Sequence, residues 1–327
     1  MNEYILAIET SCDDTSIAII EGFEVIALKT FSQINEHKKH GGVIPEIASR
    51  LHSKYIFELI EETINDSGIK MEKIDHIAVT GGPGLINTLQ VGIVVAKTLS
   101  LKLNKPLYDI NHIEAHAYSP FINNHPNTIP QKAIVVIVSG GHTEILIKEG
   151  WKYIQLGSTR DDSIGESYDK VAKTLGYDYP GGKIIDEIAS QTNALEIECP
   201  ITNLPNYEFS YSGLKSHILN KSKVKNINKE GLIKGFQKSA ITQIINKINK
   251  AIEEYNIKDV FIGGGVSANS LLRKKIMKIK DINVFLPKLK YTGDNAAMIG
   301  YLASIKIYLN LIEPSNLEMD ADPRRKF

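Results

Sequence analysis

Residues 4–20 read YILAIETSCDDTSIAII, and residues 133–148, AIVVIVSGGHTEILIK, repeat their plan. In the first stretch Tyr4–Ile8 reads as a strand, Glu9–Thr15 as a small polar turn and Ser16–Ile20 as a second strand, with a third around Glu24–Phe31. In the other, Ala133–Val138 is a strand, Ser139–Thr143 a tight polar turn and Glu144–Lys148 the return strand. Strands and helices alternate after each opening. A helix starts at Pro45, with proline in its first turn, and carries Leu51, Tyr55, Leu59 and Ile60 at helical spacing. The short strand Ile77–Thr80 ends in Gly81-Gly82-Pro83-Gly84, and a helix spans Leu89–Leu101. In the second half, helices lie near Gly165–Leu175 and Leu232–Tyr255. Strand Asp259–Ile262 runs into Gly263–Gly265, a helix begins near Asn269, and a last helix covers Asn295–Leu311. This order implies two mixed α/β units with helix-covered sheets, and a ligand between them where the glycine turns converge. The expected lobes are 1–132 and 133–327, with residues 199–226 as an irregular polar insertion and the final helix free to pack back on the first lobe.

Composition bounds the function. The 327 residues are 43% apolar, enough for two ordinary cores. The first residues, MNEYIL, lack a basic leader and an apolar core, and apolar runs stop short of a membrane span. Cys12 and Cys199 are too few for a disulfide framework or a cysteine zinc cluster, so the expected setting is a reducing cytoplasm, without a membrane partner. Net charge is zero, but residues 1–150 hold 12 Lys/Arg and 18 Asp/Glu while the remainder holds 26 and 20. That asymmetry fits either a polyanionic partner on one lobe or an uneven solvated surface.

HIEAH at 112–116 offers chemistry. On a helix His112 and His116 stand about 40° apart on one face, which suits two imidazoles on one metal. Glu114 lies about 200° round from His112 and points away, unlike the glutamate of zinc peptidases, which directly follows the first histidine. Two packed histidines remain the simpler alternative. Asp294 is a candidate third ligand, or a plain helix cap. The turns Val138-Ser139-Gly140-Gly141-His142 and Gly263–Asn269 let a ligand approach the backbone, and Tyr179–Gly182 with Asp186 adds a polar rim. Each reads equally as only a turn. There is no Walker A and no GxGxxG. Asp13 is placed to hold a phosphate-bound cation, or to cap its turn.

These pieces assemble into one pattern. The chain resembles the TsaD family (formerly Gcp, once described as an O-sialoglycoprotein endopeptidase), whose members transfer a threonylcarbamoyl group to the adenosine next to the tRNA anticodon. The resemblance runs through IETSCDDTS at 8–16, HGGVIPEIASR at 40–50, TGGPGL at 80–85, NHIEAH at 111–116, VSGGHT at 138–143, GESYDKVAKTLG at 165–176, YPGG at 179–182, FSYSGLKS at 209–216, GGGVSAN at 263–269 and GDNAAMI at 293–299. It implies a two-lobed actin/hexokinase-like fold, a duplicated ribonuclease-H-like architecture. It implies His112, His116 and Asp294 as ligands of one divalent metal; two imidazoles and a carboxylate suit Fe(II), the expected ion, or Zn, with Mg as a companion of bound nucleotide. It implies Val138, Ser139, Gly140, Gly141, His142, Asp169, Gly182, Asp186 and Asn269 as contacts to the substrate threonylcarbamoyl-adenylate. The implied partners are tRNA, a homologous non-catalytic subunit and a small ATPase. Ala115 replaces an expected glycine, Ser167-Tyr168 replace Ala-Phe, and Asn87-Thr88 replace smaller residues; none removes a ligand.

The mechanism so implied is direct acyl transfer, since no Ser-His-Asp or Cys-His set is evident. The metal would act as Lewis acid and template for the threonyl part, and the glycine turns would hold AMP. Rival readings are an ATP-dependent phosphotransferase on the same fold and a non-catalytic nucleotide-binding scaffold of a tRNA-modifying complex. Lys215, Lys221, Lys223, Lys225 and Lys229, with Arg324, Arg325 and Lys326, are expected either to face the tRNA backbone or to be only a Lys-rich solvated surface.

Overall fold

The computed structural model describes residues 3–327; Met1 and Asn2, at the head of the stretch read for a leader, lie outside the described residues. Two compact units are present, residues 3–129 with 293–327, and residues 130–292.

The first unit opens with β1 (Tyr4–Glu9), β2 (Asp14–Glu21) and β3 (Glu24–Ser32). The short α1 (Ile34–His37), α2 (Pro45–Ser67), β4 (His76–Gly82), α3 (Ile86–Leu103), β5 (Leu107–Asn111) and α4 (His112–Tyr118) follow. Its sheet has the order β3-β2-β1-β4-β5, with the hairpins antiparallel and β1-β4-β5 parallel. The unbroken apolar runs of β1 and β2 follow from burial on both faces. Leu6, Ile8, Ile17 and Ile19 pack with Ile56, Leu59 and Ile60 of α2 and Leu89 and Ile93 of α3.

The second unit contains β6 (Lys132–Val138), β7 (Thr143–Glu149), β8 (Lys152–Ser158), α5 (Ile164–Leu175), α6 (Gly181–Gln191), α7 (Ser212–Ser222), α8 (Lys229–Tyr255), β9 (Asp259–Gly263), α9 (Ser270–Ile276) and β10 (Asn283–Phe285). Its sheet order, β10-β9-β6-β7-β8, is the same plan read from the other edge, with the same parallel and antiparallel pairings. The chain then returns to the first unit with α10 (Ala296–Tyr308), whose Gly300 crosses the other face of that sheet. A Cβ there would lie 2.6 Å from Ile20 Cγ1 and 2.9 Å from the Ala7 Cβ, so only glycine fits.

Local readings needed correction at three places, and two edge strands had no reading. Glu9 is the last residue of β1 and fully buried, not the first residue of the polar turn. Residues 199–226 are not irregular throughout, because α7 forms there. It begins Ser212-Gly213 without a side-chain cap and so lacks a start signal, but Leu214 and Ile218, one helical turn apart, anchor it in the second core. Tyr179–Gly182 is not a free-standing rim, since Gly181 and Gly182 open α6. Strands β8 and β10 lie at the edges of the second sheet, where half-burial leaves no clear alternation to read.

Candidate metal centre

The parallel strand β5 passes directly into α4 because Asn111 caps the helix. Its side-chain oxygen accepts from the backbone N–H of Ile113 (2.8 Å) and Glu114 (3.0 Å). The helix thus starts at His112, and both histidines sit on its inner face, with ring centroids 4.7 Å apart. Glu114 points elsewhere, as its spacing predicts, and pairs with Lys306 of α10 at 2.5 Å.

Asp294 comes from the segment just before α10. The cap of that helix is Asn295, whose side chain accepts from the Met298 N–H at 3.1 Å. With capping done by its neighbour, the Asp294 carboxylate turns to the histidines. Its Oδ1 is 3.0 Å from His116 Nε2 and 3.4 Å from His112 Nε2. One donor atom from each residue lies within 4.8 Å of the others. Ligands held about 2.1 Å from one ion stand about 3 to 3.5 Å apart, so the nitrogen and oxygen donors match a divalent cation. The His116 side chain is fully buried, whereas 26% of the Asp294 side chain is accessible, so the group is open on one side.

Behind His112 stands Glu9, which the sequence reading passed over. Its Oε2 is 3.0 Å from His112 Nδ1, and the Thr80 hydroxyl donates to the same oxygen. Burial lowers the basicity of His112, but Glu9 and Asp294 outweigh it and raise the ring to about 10. Burial likewise opposes charge on Asp294, yet the two histidines hold it well below the usual carboxylate range. His116 is shifted down, first by burial. Without a cation His112 is therefore held as the imidazolium, with one N–H toward Glu9 and the other toward Asp294. The signal for Glu9 was available: a lone acid continuing a buried strand needs a partner.

Asp13 lies in the β1–β2 turn beside Asp14. Burial, and then Asp13, push the Asp14 carboxyl up to about 7, and its Oδ1 is buried without a hydrogen-bond partner among the described residues.

The residues expected to contact the adenylate all lie in the second unit. The turn after Val138 is closed by the Ser139 N–H to the His142 carbonyl (2.8 Å) and by the His142 N–H to the Ser139 hydroxyl (3.0 Å). The start of α5 packs on it, with the Gly165 N–H donating to the Ser139 carbonyl at 3.2 Å. Gly264 (φ +91°) presses on the Val138 carbonyl, so the two glycine turns stack. Asp169 accepts from the Gly181 N–H at 2.7 Å, tying α5 to the start of α6. Asn269 caps α9 through the Leu272 N–H (2.9 Å), and Asp186 accepts from the Ser270 N–H (3.0 Å) and hydroxyl (2.8 Å). Gln237 of α8, also missed, joins them: its amide donates to Asp186 at 2.9 Å and its oxygen accepts from Asn269 at 3.3 Å. A polar residue on an otherwise buried face of α8 was its signal. A Cβ on Gly140, Gly141, Gly182 or Gly265 would meet nothing within 4 Å. Those glycines are not required by packing, and they leave open space beside the backbone.

The basic cluster is thinner than its sequence. Lys215 pairs with Asp162, Lys229 donates to the Leu175 carbonyl and Arg325 pairs with Asp109, while Lys221, Lys223 and Lys225 are exposed. Among the described residues no helix is long and apolar enough to cross a membrane.

Comparisons with known proteins bear on the fold and the family. Two solved HypF structures superpose on nearly the whole chain at low identity. The phosphate- and nucleotide-bound full-length form gives a TM-score of 0.63 at 14% identity, covering 95% of this chain and 57% of that one. HypF from T. kodakarensis gives 0.60 at 13%, covering 94% and 48%. At that identity they speak for fold alone, the actin/hexokinase-like class. Sequence relatives are far nearer. Curated tRNA N6-adenosine threonylcarbamoyltransferases from Mycoplasma capricolum (43% identical, 93% of this chain and 98% of the relative), Thermosipho africanus (42%, 98% and 99%) and Staphylococcus carnosus (40%, 97% and 96%) match along almost their full length. The sequence profile of TsaD, tRNA N6-adenosine threonylcarbamoyltransferase, matches residues 24–301, a span that includes the histidine pair, Asp294 and every glycine turn of the second unit. With relatives this similar over their whole length, the chain belongs to the tRNA N6-adenosine threonylcarbamoyltransferase family, a family of transferases.

Proposed function

We propose that this chain transfers the threonylcarbamoyl group of threonylcarbamoyl-adenylate to N6 of the adenosine beside the anticodon of tRNA, releasing AMP. The observation that carries this reading is the convergence of His112, His116 and Asp294 in a chain of this family. These three residues would hold one divalent cation, and two imidazoles with a carboxylate suit Fe(II) or Zn(II). When bound, the cation supplies a Lewis acid that polarises a carbonyl.

The protein's remaining task is placement. Adenine N6 is a weak nucleophile and must be brought to about 3.5 Å from the carbonyl carbon. Its nitrogen forms the new bond to that carbon, the bond from carbon to the phosphate oxygen breaks, AMP leaves, and N6 gives up a proton. The second unit is assigned the adenylate. Open space at Gly140, Gly141 and Gly182 admits it, the backbone of Val138–His142 offers N–H groups, and Asp169, Asp186 and Asn269 supply polar contacts. Asp13 is assigned a phosphate-bound cation such as Mg²⁺. A cytoplasmic setting, a homologous non-catalytic subunit and a small ATPase complete the proposal.

The test is depletion of the protein in its own cell, followed by nucleoside analysis of bulk tRNA. Threonylcarbamoyl-adenosine should fall and return on re-expression; an unchanged content rejects the reading.

A further inference from the structure

Glu9 is fully buried, and the donors around it dictate its orientation. Its Oε1 accepts the Ser11 N–H at 2.5 Å, and its Oε2 accepts the Thr80 hydroxyl at 2.5 Å while facing His112 Nδ1 at 3.0 Å. A carboxylate in that setting can only accept from the ring, so the imidazole carries a proton on Nδ1 and presents Nε2 to Asp294. His116 is held differently. Its Nδ1 is buried and meets no hydrogen-bond partner among the described residues. Only one of the two imidazoles thus has an anion behind it.

We propose that Glu9 is a positioning residue for the metal site: it fixes the tautomer and direction of His112 and adds the second negative charge that a divalent cation needs in a buried place. This rests on reading His112, His116 and Asp294 as ligands. With neutral imidazoles those three carry one negative charge and Glu9 brings the total to two. Carboxylates hydrogen-bonded to metal-bound histidines commonly contribute 10- to 100-fold in affinity. The chain supplies this one from the end of β1, oriented by Thr80 within the neighbouring β4.

The experiment uses the full chain with Glu9→Gln, which keeps the volume and removes the charge. Zinc affinity is read by competition with a chelator, and the histidine tautomers of the zinc-loaded protein by imidazole ¹⁵N–¹H correlation spectra. Affinity about 10- to 100-fold weaker, with a shift of the His112 Nδ1–H resonance as its carboxylate acceptor becomes a neutral amide, is the expected result. Wild-type affinity with an unchanged Nδ1–H resonance overturns the proposal. If Glu9→Gln does not fold, Thr80→Val carries the test, because it frees the carboxylate from its orienting donor. Several-fold weaker zinc binding then supports the role, and unaltered binding overturns it. The ligand reading fails in a different way: His116→Ala would keep stoichiometric zinc.

Discussion

Asp294 Oδ1 lies 3.0 Å from His116 Nε2 although 178 residues separate the two in the chain. The whole second unit intervenes in sequence, yet both residues belong to the first. What brings them together is the packing of α10 on the first sheet, where the Ala296 N–H bonds the Ser16 hydroxyl at 3.0 Å and Gly300 rests on Ile20 and Ala7.

His116→Ala and Asp294→Asn should each abolish stoichiometric metal in the purified protein while its circular dichroism stays native. Elemental analysis checks this, and full metal content in either variant rejects the ligand set.

Metal-free protein should lose stability as pH rises from about 6.5 toward 10. His112 has a folded pKa raised to about 10, above its unfolded value, so its contribution is fully present below about 6.5 and lost as pH climbs through 10. Asp294 behaves oppositely: its depressed folded value contributes above the usual carboxylate range and is lost as acid protonates it. Melting temperature against pH should therefore fall on the alkaline side. His112→Asn should flatten that slope, and an equal slope in the variant would assign it to another group.

Gly182→Ala and Gly264→Ala should part company. At Gly182 a methyl group meets nothing within 4 Å, so the fold should tolerate it, while AMP affinity measured by calorimetry drops about tenfold or more. At Gly264 the backbone is left-handed and the Val138 carbonyl is in the way, so stability itself should fall by more than about 1 kcal/mol. Undiminished AMP binding by Gly182→Ala would remove that space from the proposed site.

Asn111→Ala should cost about 1 kcal/mol or more in denaturant unfolding, because it uncaps α4. The same side chain donates to the Lys326 carbonyl at 2.7 Å, so the chain's last residues should become more susceptible to carboxypeptidase. A wild-type midpoint would show that the two cap bonds contribute nothing net.

Changing Lys221, Lys223 and Lys225 to Glu should weaken tRNA binding and reduce its salt dependence, leaving zinc affinity untouched. The three are exposed at and just beyond the end of α7, whereas Lys215 and Lys229 are engaged within the fold and are poor targets. Wild-type binding by the triple variant at physiological salt would place the RNA elsewhere.

Much of this was legible in one dimension. The repeated strand–turn–strand openings announced two mixed sheets because a strand buried on both faces must be apolar throughout, as Leu6 and Ala7 show by facing opposite layers. The i, i+4 spacing of His112 and His116 put them on one face because helical geometry is local. Other features depend on contacts that no local pattern encodes. Asp294 and Asn295 are both able to cap α10, and packing assigned the cap to Asn295 and left Asp294 to the histidines. Glu9 acquires its partners only when β4 and α4 close over the end of β1, and Gln237 joins Asp186 to Asn269 only once α6, α8 and α9 meet. Spacing along a strand or helix fixes direction within about one turn. Which polar groups face each other across elements is set by the burial that forces each to find a partner.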